Sequence, residues 1–144
     1  MRYRTFDRRG GYALEFALCM PIWFALMAGV IDTSILFINQ NLLDEAANRG
    51  CRVGSLIDPG NRDQFIVTVE NAAEVEMEAF LRDAGVEVCE DCEIDARTFG
   101  SPPQRSLLCV ATQTVRPITN LYWEERELRS VQISRLEWQR EAVP

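Results

Sequence analysis

Arg8-Arg9-Gly10-Gly11-Tyr12-Ala13-Leu14-Glu15-Phe16-Ala17-Leu18 is a basic tail, two glycines and the start of an apolar run that holds one carboxylate. From Tyr12 to Ile31 the chain has roughly 20 residues with Glu15 as the only charge, enough for a helix to cross a bilayer at 1.5 Å per residue. A carboxylate inside such a span costs about 2.5–3.5 kcal/mol on insertion scales, which marks Glu15 as a functional candidate in need of a partner. The charge on either side orients the span. Residues 1–10 carry four arginines against Asp7, so they are net positive, while the whole chain has a formal charge of −7. Basic residues beside a span stay on the cytoplasmic side, so the acidic remainder is expected in the periplasm.

Composition narrows the function classes. At 144 residues there is room for an anchor and one small domain. An acidic domain repels phosphate backbones, which excludes nucleic acid as a natural partner. The sequence contains no histidine, and all fifteen basic residues are arginine, so the commonest general base and metal ligand is missing. No phosphate-binding glycine loop, acid–base carboxylate pair or Ser–His–Asp set is visible, and we expect neither an enzyme nor a cofactor.

The five cysteines sort by topology. Cys19 falls in the apolar span, where a thiol is a small hydrophobe. Cys51, Cys89, Cys92 and Cys109 fall on the oxidising side, where disulfides persist. Four cysteines allow three pairings; Cys51–Cys109 with Cys89–Cys92 is marginally preferred. Cys89-Glu90-Asp91-Cys92 also suggests a thiol–disulfide motif, but its acidic neighbours disfavour a thiolate. A four-cysteine metal site lacks a second CxxC spacing.

Periodicity sets out the rest. The first helix is expected from Gly11 or Tyr12 to about Ser55, with Pro21 as a tolerated kink. Its outer half carries a narrow stripe of small residues (Leu43, Ala47, Cys51, Gly54) that a sheet can approach closely. Ile57-Asp58-Pro59-Gly60-Asn61 stops it. A second helix fits 62–84, with Phe65, Ile66, Val69, Ala73, Met77, Phe80 and Leu81 on its apolar face and Glu70, Glu74 and Glu78 on a solvated one. Gly85 ends it. Strands are expected in 86–99, over 107–115 and over 131–138, with a bulge absorbing a shift between Ile133 and Leu136. A short helix over 128–138 is the second choice, and 119–127 is expected to hold a helical turn. The fold class is therefore α+β: a long transmembrane-plus-amphipathic helix, a second helix and an antiparallel sheet of about three strands. The divisions are 1–10 cytoplasmic leader, 11–38 transmembrane helix and 39–144 periplasmic domain. Asp32, at the outer end of the span, is expected to be solvated at the interface, and Trp23 to face lipid or a partner helix. Arg129, Arg135 and Arg140 form a basic series that an acidic neighbour would suit.

Glu15 is the fifth residue counted from Gly11. A glycine followed by a cut, with glutamate at the fifth mature position, resembles the processing site of type IV prepilins. Glu15-Phe16-Ala17-Leu18, then Pro21, then Gly29-Val30-Ile31-Asp32 is similar to the N-terminus of TadE-like pseudopilins, minor pilin-like proteins of the tight adherence (Flp, type IVc) machinery. The resemblance covers about residues 8–38 and is architectural beyond them. It implies a pilin-like fold, cleavage between Gly10 and Gly11 by a prepilin peptidase, and assembly roles for Glu15, Phe16 and Pro21. The implied partners are other Tad minor pilins, the major pilin, the inner-membrane assembly platform and membrane lipid. The implied place is the bacterial inner membrane, with possible incorporation in the pilus. The competing reading is a permanently anchored single-pass periplasmic binding or thiol–disulfide module, which needs neither a cleavable Gly10 nor a Glu15 in the span.

Overall fold

The computed structural model describes residues 9–57, 65–85, 92–101, 104–119 and 121–136, which form two helices and three strands. Helix α1 runs from Arg9 to Leu56 without interruption, Pro21 included. The apolar stretch that is long enough to cross a membrane is not buried by the rest of the chain. Tyr12, Phe16, Leu18 and Phe24 are all largely exposed. In water such a surface would be untenable; against lipid tails it is the expected face.

The outer half of α1 packs on everything else. Leu43, Ala46, Ala47 and Cys51 are buried along it. Helix α2, Phe65–Asp83, buries Val69, Ala73, Met77 and Leu81 at helical spacing. It closes on Gly85, whose φ of +74° suits a residue without a side chain. The Ala84 N–H bonds the Phe80 carbonyl at 3.0 Å and the Gly85 N–H bonds the Arg82 carbonyl at 3.1 Å. Residues 62–64 of the expected second helix lie outside the described residues.

Strands β1 (Glu93–Phe99), β2 (Ser106–Val115) and β3 (Arg126–Arg135) form an antiparallel meander in that order. The architecture is α+β, as the periodicity predicts. The covered face of the sheet presents Ala96, Leu107, Cys109 and Ala111 to the helices. One core group joins Cys51, Val69, Ala73, Met77, Leu107 and Leu136; a second joins Leu43, Ala46, Leu81 and Ala111.

Small residues set the spacing of these layers. A Cβ on Gly50 would lie 2.4 Å from Met77 Cγ and 2.8 Å from the Ala73 carbonyl oxygen. A Cβ on Gly54 would lie 2.5 Å from Leu107 Cδ2 and 3.2 Å from the Val69 carbonyl oxygen. The stripe therefore admits α2 as well as the sheet.

Three sequence expectations need correction. The last strand starts at Arg126 and ends at Arg135, pairing with β2 from Val115↔Arg126 to Ser106↔Arg135 without a bulge. The apparent shift arises because both faces carry apolar residues: Val131 and Ile133 are exposed on the outer face, while Leu136 shares the inner parity of Leu128, Ser130, Gln132 and Ser134. The expected helical turn over 119–127 is absent among the described residues, which are irregular up to Glu125 and then enter β3. Finally, the acidic face of α2 is not simply solvated. Glu70 accepts the Thr98 N–H at 2.6 Å and the Thr98 hydroxyl at 2.9 Å, and Glu74 accepts the Ala96 N–H at 3.2 Å. β1 is an edge strand, and these carboxylates occupy donors that would otherwise invite another strand.

Candidate functional site

The residues singled out in the sequence fall into two groups on α1. Near its start, Gly11 stands in open space, with nothing within 4 Å of where a Cβ would be. Glu15 follows at one turn's distance, roughly 6 Å along the axis. Glu15, Phe16 and Pro21 are all exposed, and no described residue hydrogen-bonds the Glu15 carboxylate. Gly10 lies in the helix. This end offers an uncovered apolar cylinder bearing one negative charge.

At the other end of the span the structure shows what the sequence reading missed. Asp32 is fully buried. Its carboxylate accepts the Ile118 N–H at 3.1 Å and the Thr119 N–H at 3.3 Å, and also the Thr119 hydroxyl. The donors belong to the β2–β3 loop, residues 116–125, which folds back along α1. Further along, the Tyr122 hydroxyl donates to the Ala25 carbonyl at 2.6 Å, and the Tyr122 ring lies over Gly29, where a Cβ would come within 2.9 Å of it. A side chain at Gly29 would meet the ring, so the glycine is what admits this close approach. Interfacial solvation of Asp32 is therefore the wrong account: the carboxylate ties the sheet to the span. The signal was present as Gly29 three residues before an aspartate, but its partners are some 90 positions away and no periodicity links them.

Polar side chains nearby are satisfied locally. Thr33 Oγ1 donates to the Gly29 carbonyl at 2.8 Å and Ser34 Oγ to the Val30 carbonyl at 2.7 Å. Both are returns onto the helix's own backbone, as suits hydroxyls close to an apolar phase.

A second tie joins α1 to the sheet. Cys51 and Cys109 form a disulfide with a Cα separation of 5.7 Å, and both residues are buried. Cys92 is also disulfide-bonded; Cys89 lies outside the described residues. Cys19 is free and exposed on the span. Among the described residues no three His, Cys, Asp or Glu side chains converge as a metal site. Arg129 and Arg135 sit on the outer parity of β3, and Arg140 lies outside the described residues.

The geometry is that of a small α+β domain on the outer half of a long helix whose inner half is bare, apolar and long enough to cross a membrane. Residues 10–52, most of α1, match the model of the TadE-like protein family. No curated protein and no solved structure matches it. The family points to the Tad pilus systems and is of a structural rather than an enzymatic kind.

Proposed function

We propose that the chain is a non-enzymatic pseudopilin that helps to start or support assembly of an Flp-type (Tad) pilus after its leader is removed between Gly10 and Gly11. The observation that carries this reading is the unpartnered Glu15 on a bare apolar helix, within a TadE-like segment. A permanently anchored module has no use for a carboxylate there, at a cost of about 2.5–3.5 kcal/mol. Cleavage creates an α-amino group on Gly11, one turn from Glu15. In an assembly the amine of one subunit neutralises the Glu15 of its neighbour, so the charge keeps a partner once the helix leaves the headgroup region. The open space around Gly11 leaves that amine accessible.

Before cleavage the leader is cytoplasmic and the domain periplasmic; the partners are a prepilin peptidase, other Tad minor pilins, the major pilin and the inner-membrane platform. Phe16 and Pro21 lie on the same uncovered surface, Phe16 offering a contact to neighbouring helices and Pro21 a point of local weakness. Cys89 and Cys92 form the second disulfide. The test is Glu15→Leu as the only copy in cells. Membrane insertion and cleavage should be kept, with mature protein starting Gly11-Tyr12-Ala13, while piliation and crosslinking to other minor pilins are lost. Normal piliation with Glu15→Leu, or an intact Met1 in membranes with active prepilin peptidase, would refute the assignment.

A further inference from the structure

The β2–β3 loop reaches down the side of α1 to a depth that its sequence suits. With Tyr12 at the inner boundary, a hydrocarbon core of about 30 Å ends close to Asp32. Ala25 lies seven residues earlier, roughly 10 Å further in along the axis, and Gly29 roughly 4.5 Å further in. The Tyr122 hydroxyl is bonded to Ala25, and its ring lies on Gly29. The loop tip therefore sits below the level of Asp32. Its surface is apolar there: Ile118 is 72% exposed, Leu121 58% and Tyr122 53%, with no described residue covering them. Ile22, Leu26 and Val30, on the turns of α1 at this level, are exposed as well. Polarity returns on the way out, with Arg116 and Glu125 paired at 3.2 Å.

We infer that this loop is a lipid-binding element: Ile118, Leu121 and Tyr122 enter the outer leaflet beside the span, with Asp32 and Thr119 closing the polar backbone behind them. The backbone problem that normally keeps loops out of hydrocarbon is met by the helix at the loop's entry, where Ile118 and Thr119 reach Asp32. The Ile118 and Thr119 N–H groups have a carboxylate acceptor, and the tyrosine hydroxyl has a main-chain one. Aromatic side chains with one polar end suit the zone between headgroup and acyl chain. The consequence is mechanical. The domain is seated at a fixed depth and rotation, so α1 presents a constant side to neighbouring subunits. The inference rests on α1 being a membrane anchor.

The experiment uses the full chain in vesicles of phosphatidylethanolamine and phosphatidylglycerol, with an NBD fluorophore on one thiol and the native disulfides left oxidised. The natural Cys19 reports the span. In a Cys19→Ala background, Ile118→Cys and Leu121→Cys report the loop, each at an exposed position that forms no side-chain bond. Ser101→Cys, exposed at the far end of the sheet, reports the aqueous domain. Nitroxides are placed either near the lipid headgroup or near the acyl-chain end. Blue-shifted emission at 118 and 121, quenched mainly by the shallow nitroxide, is expected, with position 19 quenched by the deep one and 101 by neither. Aqueous emission at 118 and 121 while position 19 is quenched overturns the loop's role and leaves the anchor standing. Aqueous emission at position 19 as well overturns the anchor and the loop together.

Discussion

Replacing Asp32 by alanine removes the acceptor of three hydrogen bonds at once, from the Ile118 N–H at 3.1 Å, the Thr119 N–H at 3.3 Å and the Thr119 hydroxyl. Hydrogen bonds to a charged group contribute about 1.5–3 kcal/mol each. The full sum is not expected, because Ile118 and Thr119 are themselves exposed and their freed N–H groups can turn to water or headgroups. A net loss of about 2–5 kcal/mol in loop docking follows. At 1.4 kcal/mol per factor of ten, amide exchange at Ile118 and Thr119 should accelerate roughly 30-fold or more. The opposing effect is that a buried carboxylate with no cation bonded to it carries a desolvation cost, which alanine abolishes. Asp32→Asn separates the two. Its amide oxygen still accepts both N–H groups and its NH₂ can donate to the Thr119 oxygen, so geometry is kept while the charge goes. Exchange in the asparagine protein should stay within a few-fold of the parent, measured by hydrogen exchange on the full chain in nanodiscs. Parental exchange rates in Asp32→Ala would show that the loop is held by other contacts. Asparagine as damaging as alanine would show that charge, not bonding geometry, holds it.

Three further outcomes test the packing. Gly50→Ala puts a Cβ 2.8 Å from the Ala73 carbonyl oxygen. The strain, about 1–3 kcal/mol, should outweigh the roughly 1 kcal/mol gained in helix propensity, so denaturant unfolding should show a less stable protein. Joint Cys51→Ala and Cys109→Ala replacement opens a loop with a sequence separation of 58. It should cost about 4 kcal/mol in the chain-entropy treatment, read as a lower thermal midpoint under oxidising conditions and a smaller further drop on adding reductant than the parent shows. Glu70→Ala with Glu74→Ala should speed amide exchange at Thr98 and Ala96, for about 1–2 kcal/mol at each carboxylate, whereas the glutamine pair should change it little.

Much of this fold is legible because its signals are local. The bare span, the narrow stripe ending in Gly54, the amphipathic second helix and the β-branched second strand each declare themselves within a window of a few turns. The rest depends on distant partners. Asp32 looks like any carboxylate at the end of a span until Thr119 is placed against it. Glu70 and Glu74 look like an ordinary wet helix face until β1 is laid beside them as an unprotected edge. The last strand departs from its expected bounds for a different reason: Val131 and Ile133 are apolar but uncovered, while Ser130 and Ser134, on the covered side, are small enough to let α1 approach. Burial and hydrophobicity part company there, and a pattern read from hydrophobicity alone follows the wrong face.

Asp32 and Glu15 are two carboxylates on one helix with opposite treatment. Asp32 lies against its own domain, has three donors and is fully buried, so the molecule accounts for it completely. Glu15 sits on the bare half, where no described residue gives it a donor. Because the core packs on the outer half of α1 and the loop's hydrogen bonds reach down to Ala25, no described residue bonds Glu15. At 1.5 Å per residue, ten residues of helix, roughly 15 Å, separate that lowest contact from the carboxylate. Whatever satisfies it must come from outside the described domain: water and headgroups while the subunit waits in the membrane, or another molecule's donor when it leaves. A headgroup can serve only while Glu15 remains near the inner surface. If the helix is drawn outward into an assembly, that option is lost, and the donor has to travel with the assembly. In the function proposed above, the amine that cleavage would create on Gly11 of a neighbouring copy or related subunit would lie one turn from the same level, which joins cleavage and assembly in one mechanism.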